Sequence, residues 1–124
     1  MVTGGFRTRS AMDAALESHE ADLIGIGRPL CVDPATPAKL LSGEADATKW
    51  EAKLRIGPGI FGPNSPIKLI KALNGFGAQG WYYEQIRLLG DGKPANPKLG
   101  VLKAFMAHQK KETESAKEWR AAMP

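Results

Sequence analysis

The sequence predicts an α/β fold over residues 1–43 and a mostly helical extension over residues 44–124. Two short apolar stretches, one ending at Thr3 and one ending at Ile26, each run into glycine, and an amphipathic helical pattern lies between them. Beyond residue 43 the sequence becomes rich in glycine and proline and then shows helical periodicity. The chain is therefore predicted to have a strand–helix–strand unit first and helices afterwards.

The first helix is predicted to begin at Ser10, a candidate N-cap with Asp13 three residues later. The segment from Ala21 to Ile26 is nearly continuously apolar, which is typical of a parallel strand buried on both faces. A right-handed crossover places the two glycine turns at the same edge of the sheet. The apolar face of the intervening helix comprises Met12, Ala15, Leu16 and His19.

The rest of the chain is predicted to contain a short helix, then a loop, and then three further helices. Thr36-Pro37 marks the start of a two-turn helix that stops at Gly43, and residues 44–64 form a loop with one helical turn around residues 48–54. A helix from Ser65-Pro66 to Gly75 and a second from Trp81 to Gly90 would form a hairpin. The last helix is predicted to open at Asn96-Pro97.

The two glycine turns predict a phosphate site. Glycine directly after a strand lets the backbone N–H approach a ligand closely, because no Cβ intervenes. Arg28 adds a permanently charged, forked donor that suits phosphate. An alternative interpretation is that the glycines only close tight turns and that Arg28 is a surface residue.

Composition excludes several classes of function. With 43% hydrophobic and 24% charged residues the chain is of ordinary globular type, it has no membrane-length apolar run or signal peptide, and a cytoplasmic location is expected. Basic and acidic residues are interspersed, which favours a solvated surface over a nucleic-acid site. The helical spacing of the aromatic cluster Trp81-Tyr82-Tyr83 favours a core or interface role over a flavin or substrate wall. The sequence gives no catalytic or metal-binding role to Cys31, His19 or His108.

The order and spacing of three motifs resemble the end of a known family. They are Val2-Thr3-Gly4-Gly5-Phe6-Arg7-Thr8, Ala21-Asp22-Leu23-Ile24-Gly25-Ile26-Gly27-Arg28-Pro29-Leu30, and Asp33-Pro34 followed by Lys39-Leu40-Leu41-Ser42-Gly43. This pattern resembles the Old Yellow Enzyme family of NADH:flavin oxidoreductases, which are FMN enzymes built on a (β/α)8 TIM barrel. The resemblance implies that residues 1–43 are the seventh and eighth βα units and that residues 44–124 pack on the barrel.

The resemblance also implies the cofactor and its site. It assigns the FMN phosphate to Gly4, Gly5, Gly27 and Arg28, with Phe6 as a weaker neighbour, and phosphate sites in the last two βα loops are common in such barrels. Hydride from NADH or NADPH would pass through FMN to an activated alkene or a related small-molecule acceptor. An iron–sulfur branch is disfavoured, because Cys31 is the single cysteine.

The chain departs from the family in length. A barrel of this kind needs about 250 residues, so 124 residues starting at the seventh strand lack the first six strands and their catalytic residues. The resemblance implies a C-terminal fragment that is inactive alone and that arises from a truncated gene, a partial gene assignment or an internal start codon. Two alternatives are a non-catalytic phosphate-binding module and a helical interaction module that assembles with a partner. Open sheet edges would favour self-association.

Overall fold

The computed structural model describes residues 1–123, which divide into two compact units on either side of the bond between Lys53 and Leu54. Residues 44–53, predicted to accompany the helical extension, pack with the first unit. The first unit contains β1 (Val2–Thr3), α1 (Arg9–Glu17), β2 (Ile24–Gly25), α2 (Thr36–Ser42) and 3₁₀ helices at Arg28–Cys31 and Trp50–Ala52. The second contains a 3₁₀ helix at Gly59–Phe61, α3 (Lys68–Gly90) and α4 (Val101–Ala122).

The two strands pair in parallel, as predicted. Val2 lies opposite Ile24, and Thr3 lies opposite Gly25. Each strand has only two residues, so the predicted strand from Ala21 to Ile26 was too long. The prediction that this segment is buried on both faces was also wrong, because Leu23 is exposed and Ile24 is half-buried. The glycine turn ends β1 after Thr3, which leaves the rest of the apolar segment without a strand partner.

Helix α1 begins two residues earlier than predicted. Thr8, in an extended conformation, is the N-cap, and its Oγ1 accepts the Ala11 N–H at 3.3 Å. The assignment of the cap to Ser10 was therefore wrong, and Asp13 forms an ion pair with Arg9 at 2.7 Å instead of a capping box. Either hydroxyl residue fits the local pattern, and the extended backbone at Thr8 decides between them.

The core of the first unit joins its helices to the sheet. Gly43, at a φ of 73°, ends α2 as predicted, but Ala35 rather than Thr36 is its N-cap. Thr36 lies inside the helix, where its hydroxyl donates to the Asp33 carbonyl at 2.7 Å. The core consists of the buried Met12, Leu40 and Ala47, with Phe6, Ile24 and Ile26 packed against them.

Helix α3 is one continuous helix, so the predicted pair of helices with a break between Gly75 and Trp81 was wrong. Gly77 and Gly80 are buried where α4 crosses. A Cβ at Gly80 would lie 3.3 Å from the Phe105 Cα, so the missing side chain allows close approach of the two helices. Packing across this crossing outweighs the low helix propensity of glycine. The helical hairpin of the molecule is formed by α3 and α4.

Side chains of α3 hold the connection to α4. Trp81 is fully buried, and its Nε1 donates to the Leu99 carbonyl at 2.8 Å. Gln85 accepts the Asn96 N–H at 2.7 Å and donates to the Asn96 carbonyl at 3.2 Å. The predicted start of the last helix at Asn96 was wrong, because these bonds fix residues 96–99 outside the helix. The predicted core role is confirmed for Trp81, whereas Tyr83 of the same cluster is exposed.

A buried carboxylate also links the two helices. Glu84 accepts hydrogen bonds from Arg87 at 2.6 Å within α3 and from Lys111 of α4 at 3.0 Å. Burial raises the pKa of Glu84, but its hydrogen bonds to Lys111 and Arg87 and their charges outweigh burial and hold it below its ordinary value.

Two glycines of α3 make a matched test of the helix crossing. We predict that Gly77→Ala lowers the free energy of unfolding by about 1–2 kcal/mol, because its Cβ would lie 2.7 Å from Val101 Cγ1. Gly75→Ala should raise it by about 0.5–1 kcal/mol, since nothing lies within 4 Å of its Cβ and alanine favours the helix. Urea unfolding followed by helical circular dichroism measures both, and equal effects would contradict this packing.

Candidate functional site

A cleft lies beside the turn that follows β1. Gly4 and Gly5 adopt φ angles of 98° and 82°, in the left-handed region that favours glycine. Their turn directs the chain from the strand into the N-terminus of α1. The cleft has a volume of about 390 Å³ and is lined by Gly4, Gly5, Phe6, Arg7, Thr8, Ala11 and Lys49.

Unused backbone donors border this cleft. Among the described residues, the four successive amides from Gly5 to Thr8 donate to no protein acceptor. The Gly4 amide is directed at the Gly25 carbonyl, at 3.4 Å, and so extends the sheet. Thr8 and Ala11 bring the N-terminus of α1 to the same cleft. Free N–H groups beside a helix N-terminus form an environment that stabilises an anion.

Arg7 connects the glycine turn to the segment that follows α2. Arg7 is only 7% exposed. Its guanidinium donates to the Phe6 carbonyl and to Glu51 Oε1, each at 2.6 Å. Its Nε is buried and has no acceptor among the described residues. The guanidinium therefore positions the turn and adds positive charge to one wall of the cleft.

The predicted site residues fall into two groups. Gly4, Gly5 and Phe6 line the cleft together. Among the residues that the structure describes, Gly27 and Arg28 do not line it. Gly27 is the N-cap of the 3₁₀ helix that Arg28 begins, and Arg28 is exposed. Their assignment to a phosphate stays a prediction.

Arg28 acts on the cleft region through Glu51. Burial alone raises the pKa of Glu51. A backbone hydrogen bond, the hydrogen bond and charge of Arg7, and the charge of Arg28 together hold that pKa below its ordinary value of 4.5. Glu51 thus receives positive potential from both glycine-containing turns.

Sequence reasoning did not assign Arg7 and Lys49 to the site. Arg7 belongs to the motif Gly-Gly-Phe-Arg, but no local signal shows that its side chain is buried against Glu51. Lys49 lies in a stretch that was predicted only as a loop with a helical turn. Pairing between residues this far apart in the chain is visible only in three dimensions.

Cys31 and His108 lie outside this cleft. Burial raises the pKa of the Cys31 thiol from 9.0 more than its backbone hydrogen bond lowers it, so the reactive thiolate is disfavoured. His108 stacks on Tyr83 with ring centres 4.9 Å apart. Within residues 1–123, no three His, Cys, Asp or Glu residues cluster as a metal site, and no helix combines the length and apolar character needed to cross a membrane.

The first unit is thus a strand–helix–strand unit with an anion-competent cleft at the carboxyl edge of its sheet. Two curated proteins are similar in sequence to this chain. The NADH-dependent flavin oxidoreductase iccE of Talaromyces variabilis is 33% identical over 95 residues, which are 72% of this chain and 22% of that protein. The NADH-dependent flavin oxidoreductase iliE of Hypocrea jecorina is 31% identical over 58 residues, 44% of this chain and 14% of that protein.

These similarities relate the chain distantly to flavin oxidoreductases. The chain spans about a fifth or less of the length of these relatives. A match over 72% of the chain is longer than either structural unit and therefore includes residues of both. No family model matches the sequence, and no solved structure matches it.

Titration of Glu51 tests the electrostatics of this site. Because its folded-state pKa lies below its unfolded value, the Arg7–Glu51 ion pair contributes its full stability above about pH 4.5 and loses it as the pH falls through the folded-state pKa. We predict that Glu51→Gln costs about 1 kcal/mol or less at pH 7. The difference from wild type should shrink in acid.

Unfolding followed by circular dichroism between pH 7 and pH 3 measures this difference. The exposed Glu118→Gln serves as the control variant, and it should show no comparable pH-dependent difference. A cost of Glu51→Gln that stays constant over the whole range would contradict the ion pair.

Proposed function

We propose that this chain is the FMN-binding part of an NAD(P)H:flavin oxidoreductase of the Old Yellow Enzyme family. In this proposal, β1 and β2 are the last two strands of a (β/α)8 barrel, and the cleft beside Gly4 and Gly5 takes the FMN phosphate. Gly27 and Arg28 form the second phosphate turn, and Phe6 lies beside the ligand. The complete enzyme passes hydride from NADH or NADPH to an activated alkene or a related acceptor.

One observation carries the proposal: two parallel strands joined through a helix end in glycine turns at the same edge, beside amides that have no acceptor among the described residues. Edges of this kind are where α/β proteins bind ligands. The similarity to two NADH-dependent flavin oxidoreductases supports a flavin rather than another phosphate ligand.

The residues present suit a flavin phosphate. The amides from Gly5 to Thr8 supply hydrogen-bond donors, and the N-terminus of α1 supplies positive potential. FMN, when bound, supplies the hydride-transfer chemistry through its isoalloxazine ring. The described residues hold and orient the phosphate end. We therefore expect the 124-residue chain alone to lack turnover with NADH or NADPH.

A second candidate function is a helical interaction module. Leu69, Phe76 and Tyr83 are exposed and recur every seven residues along α3, so they form one apolar row on that helix. In the described part of the chain the sheet has two strands, so each strand has an edge without a strand neighbour. Both features would support assembly with a partner or with a second copy.

Comparison of FMN with riboflavin tests the flavin proposal, because the two ligands differ only by the phosphate. We predict that the full chain binds FMN more tightly than riboflavin, as measured by flavin fluorescence at low salt. Arg28→Gln should weaken FMN binding about tenfold, since it removes a charge-assisted hydrogen bond. It should leave riboflavin binding unchanged.

Arg55→Gln is the matched control, because it removes the same charge from an exposed position outside the first unit. Equal affinities of the wild-type chain for FMN and riboflavin would contradict the proposal. In that case, concentration-dependent association of the chain would favour the interaction module.

A further inference from the structure

Lys49 lines the cleft at the glycine turn, although it comes from the segment after α2. Lys49 is exposed, and its ammonium has no ion-pair or hydrogen-bond partner among the described residues, although its carbonyl accepts the Ala52 amide at 3.2 Å. Arg7, the other cation of the cleft, already shares its charge with Glu51. Of the two cations that line the cleft, Lys49 is therefore the one whose charge no carboxylate of the described residues neutralises.

Three hydrogen bonds hold the backbone on either side of Lys49 against the glycine turn. The Ala47 amide donates to the Arg7 carbonyl at 2.7 Å, and the Arg9 amide donates to Asp46 Oδ1 at 3.1 Å. On the far side of Lys49, Glu51 accepts from Arg7 at 2.6 Å. Lys49 thus lies between two attachment points, and its position at the cleft is fixed by bonds that do not use its own side chain.

The donors of the cleft are complementary to a phosphate monoester. A dianionic phosphate has three terminal oxygens that accept hydrogen bonds, and the amides from Gly5 to Thr8 are donors without acceptors among the described residues. Backbone amides and a helix N-terminus carry only partial charges. A lysine ammonium supplies the full positive charge that a dianion requires. The buried Arg7 Nε, which lacks an acceptor among the described residues, adds to the positive potential of the same wall.

We propose that Lys49 is a phosphate-binding residue of this cleft and that the Arg7–Glu51 ion pair positions it. This inference rests on the proposed function for the identity of the ligand, a flavin phosphate, but the phosphate chemistry stands on the cleft itself. It adds Lys49, which lines the cleft, to Arg28 as a second positively charged contact for the phosphate. Glu51 acts as a positioning residue, because it holds the segment that carries Lys49.

Titration of the ¹⁵N-labelled full chain with inorganic phosphate at pH 7.5 tests this role. We expect saturable shifts of the Gly5 and Phe6 amide signals and a dissociation constant about tenfold higher in Lys49→Gln. Lys53→Gln is the matched control. It removes the same charge from the same segment, but Lys53 Nζ lies over the Trp50 ring, 5.2 Å from its centre. Its dissociation constant should stay within about twofold of wild type.

Equal effects of Lys49→Gln and Lys53→Gln, or phosphate shifts that avoid Gly5 and Phe6, would overturn the inference. Its failure differs from failure of the flavin proposal. If phosphate binding depends on Lys49 but the chain does not prefer FMN to riboflavin, Lys49 is a phosphate-binding residue and the flavin proposal is wrong. If Lys49→Gln still prefers FMN to riboflavin, the inference about Lys49 is wrong and the flavin proposal stands.

Discussion

The ion pair between Arg7 and Glu51 is the interaction on which the candidate site depends. It joins the residue after the glycine turn to the 3₁₀ helix that follows α2. Arg7 is buried but Glu51 is more than one-third exposed, so the pair joins the two segments while it adds only modestly to the free energy of unfolding. The pair therefore fixes the distance between the two walls of the cleft. The same segment is also bonded to the region after β1 by the Ala47 amide, which donates to the Arg7 carbonyl, and by Asp46 Oδ1, which accepts the Arg9 amide.

The short sheet and this ion pair each position a different part of the cleft. Pairing of β1 with β2 directs both glycine turns to one edge, and the positive φ angles of Gly4 and Gly5 turn the chain toward α1. The segment after α2 then closes the cleft from the other side. Arg28 contributes at longer range through its charge on Glu51. The resulting cleft is lined by the basic residues Arg7 and Lys49 and by amides that have no acceptor among the described residues.

Some features of this fold could be predicted from the sequence, including the pairing of its two strands, and others could not. The parallel pairing and the end of α2 at Gly43 follow from apolar runs and a glycine stop. The continuity of α3 could not be predicted, because Gly77 suits the crossing of α4 although glycine alone suggests a break. The residues of the site were likewise predictable only in part. The glycine motif indicated Gly4 and Gly5, whereas Lys49 depends on bonds between distant segments.

The structure of the chain with FMN tests the central claim most directly, since the claim concerns where one phosphate group lies. The account predicts phosphate oxygens within hydrogen-bonding distance of the Gly5 amide and of Lys49 Nζ, with the Arg7–Glu51 pair intact. Crystallography, or intermolecular NMR distances to labelled amides, would locate the group. A phosphate bound only at Arg28, with the Gly5 amide and Lys49 free of ligand, would contradict the account.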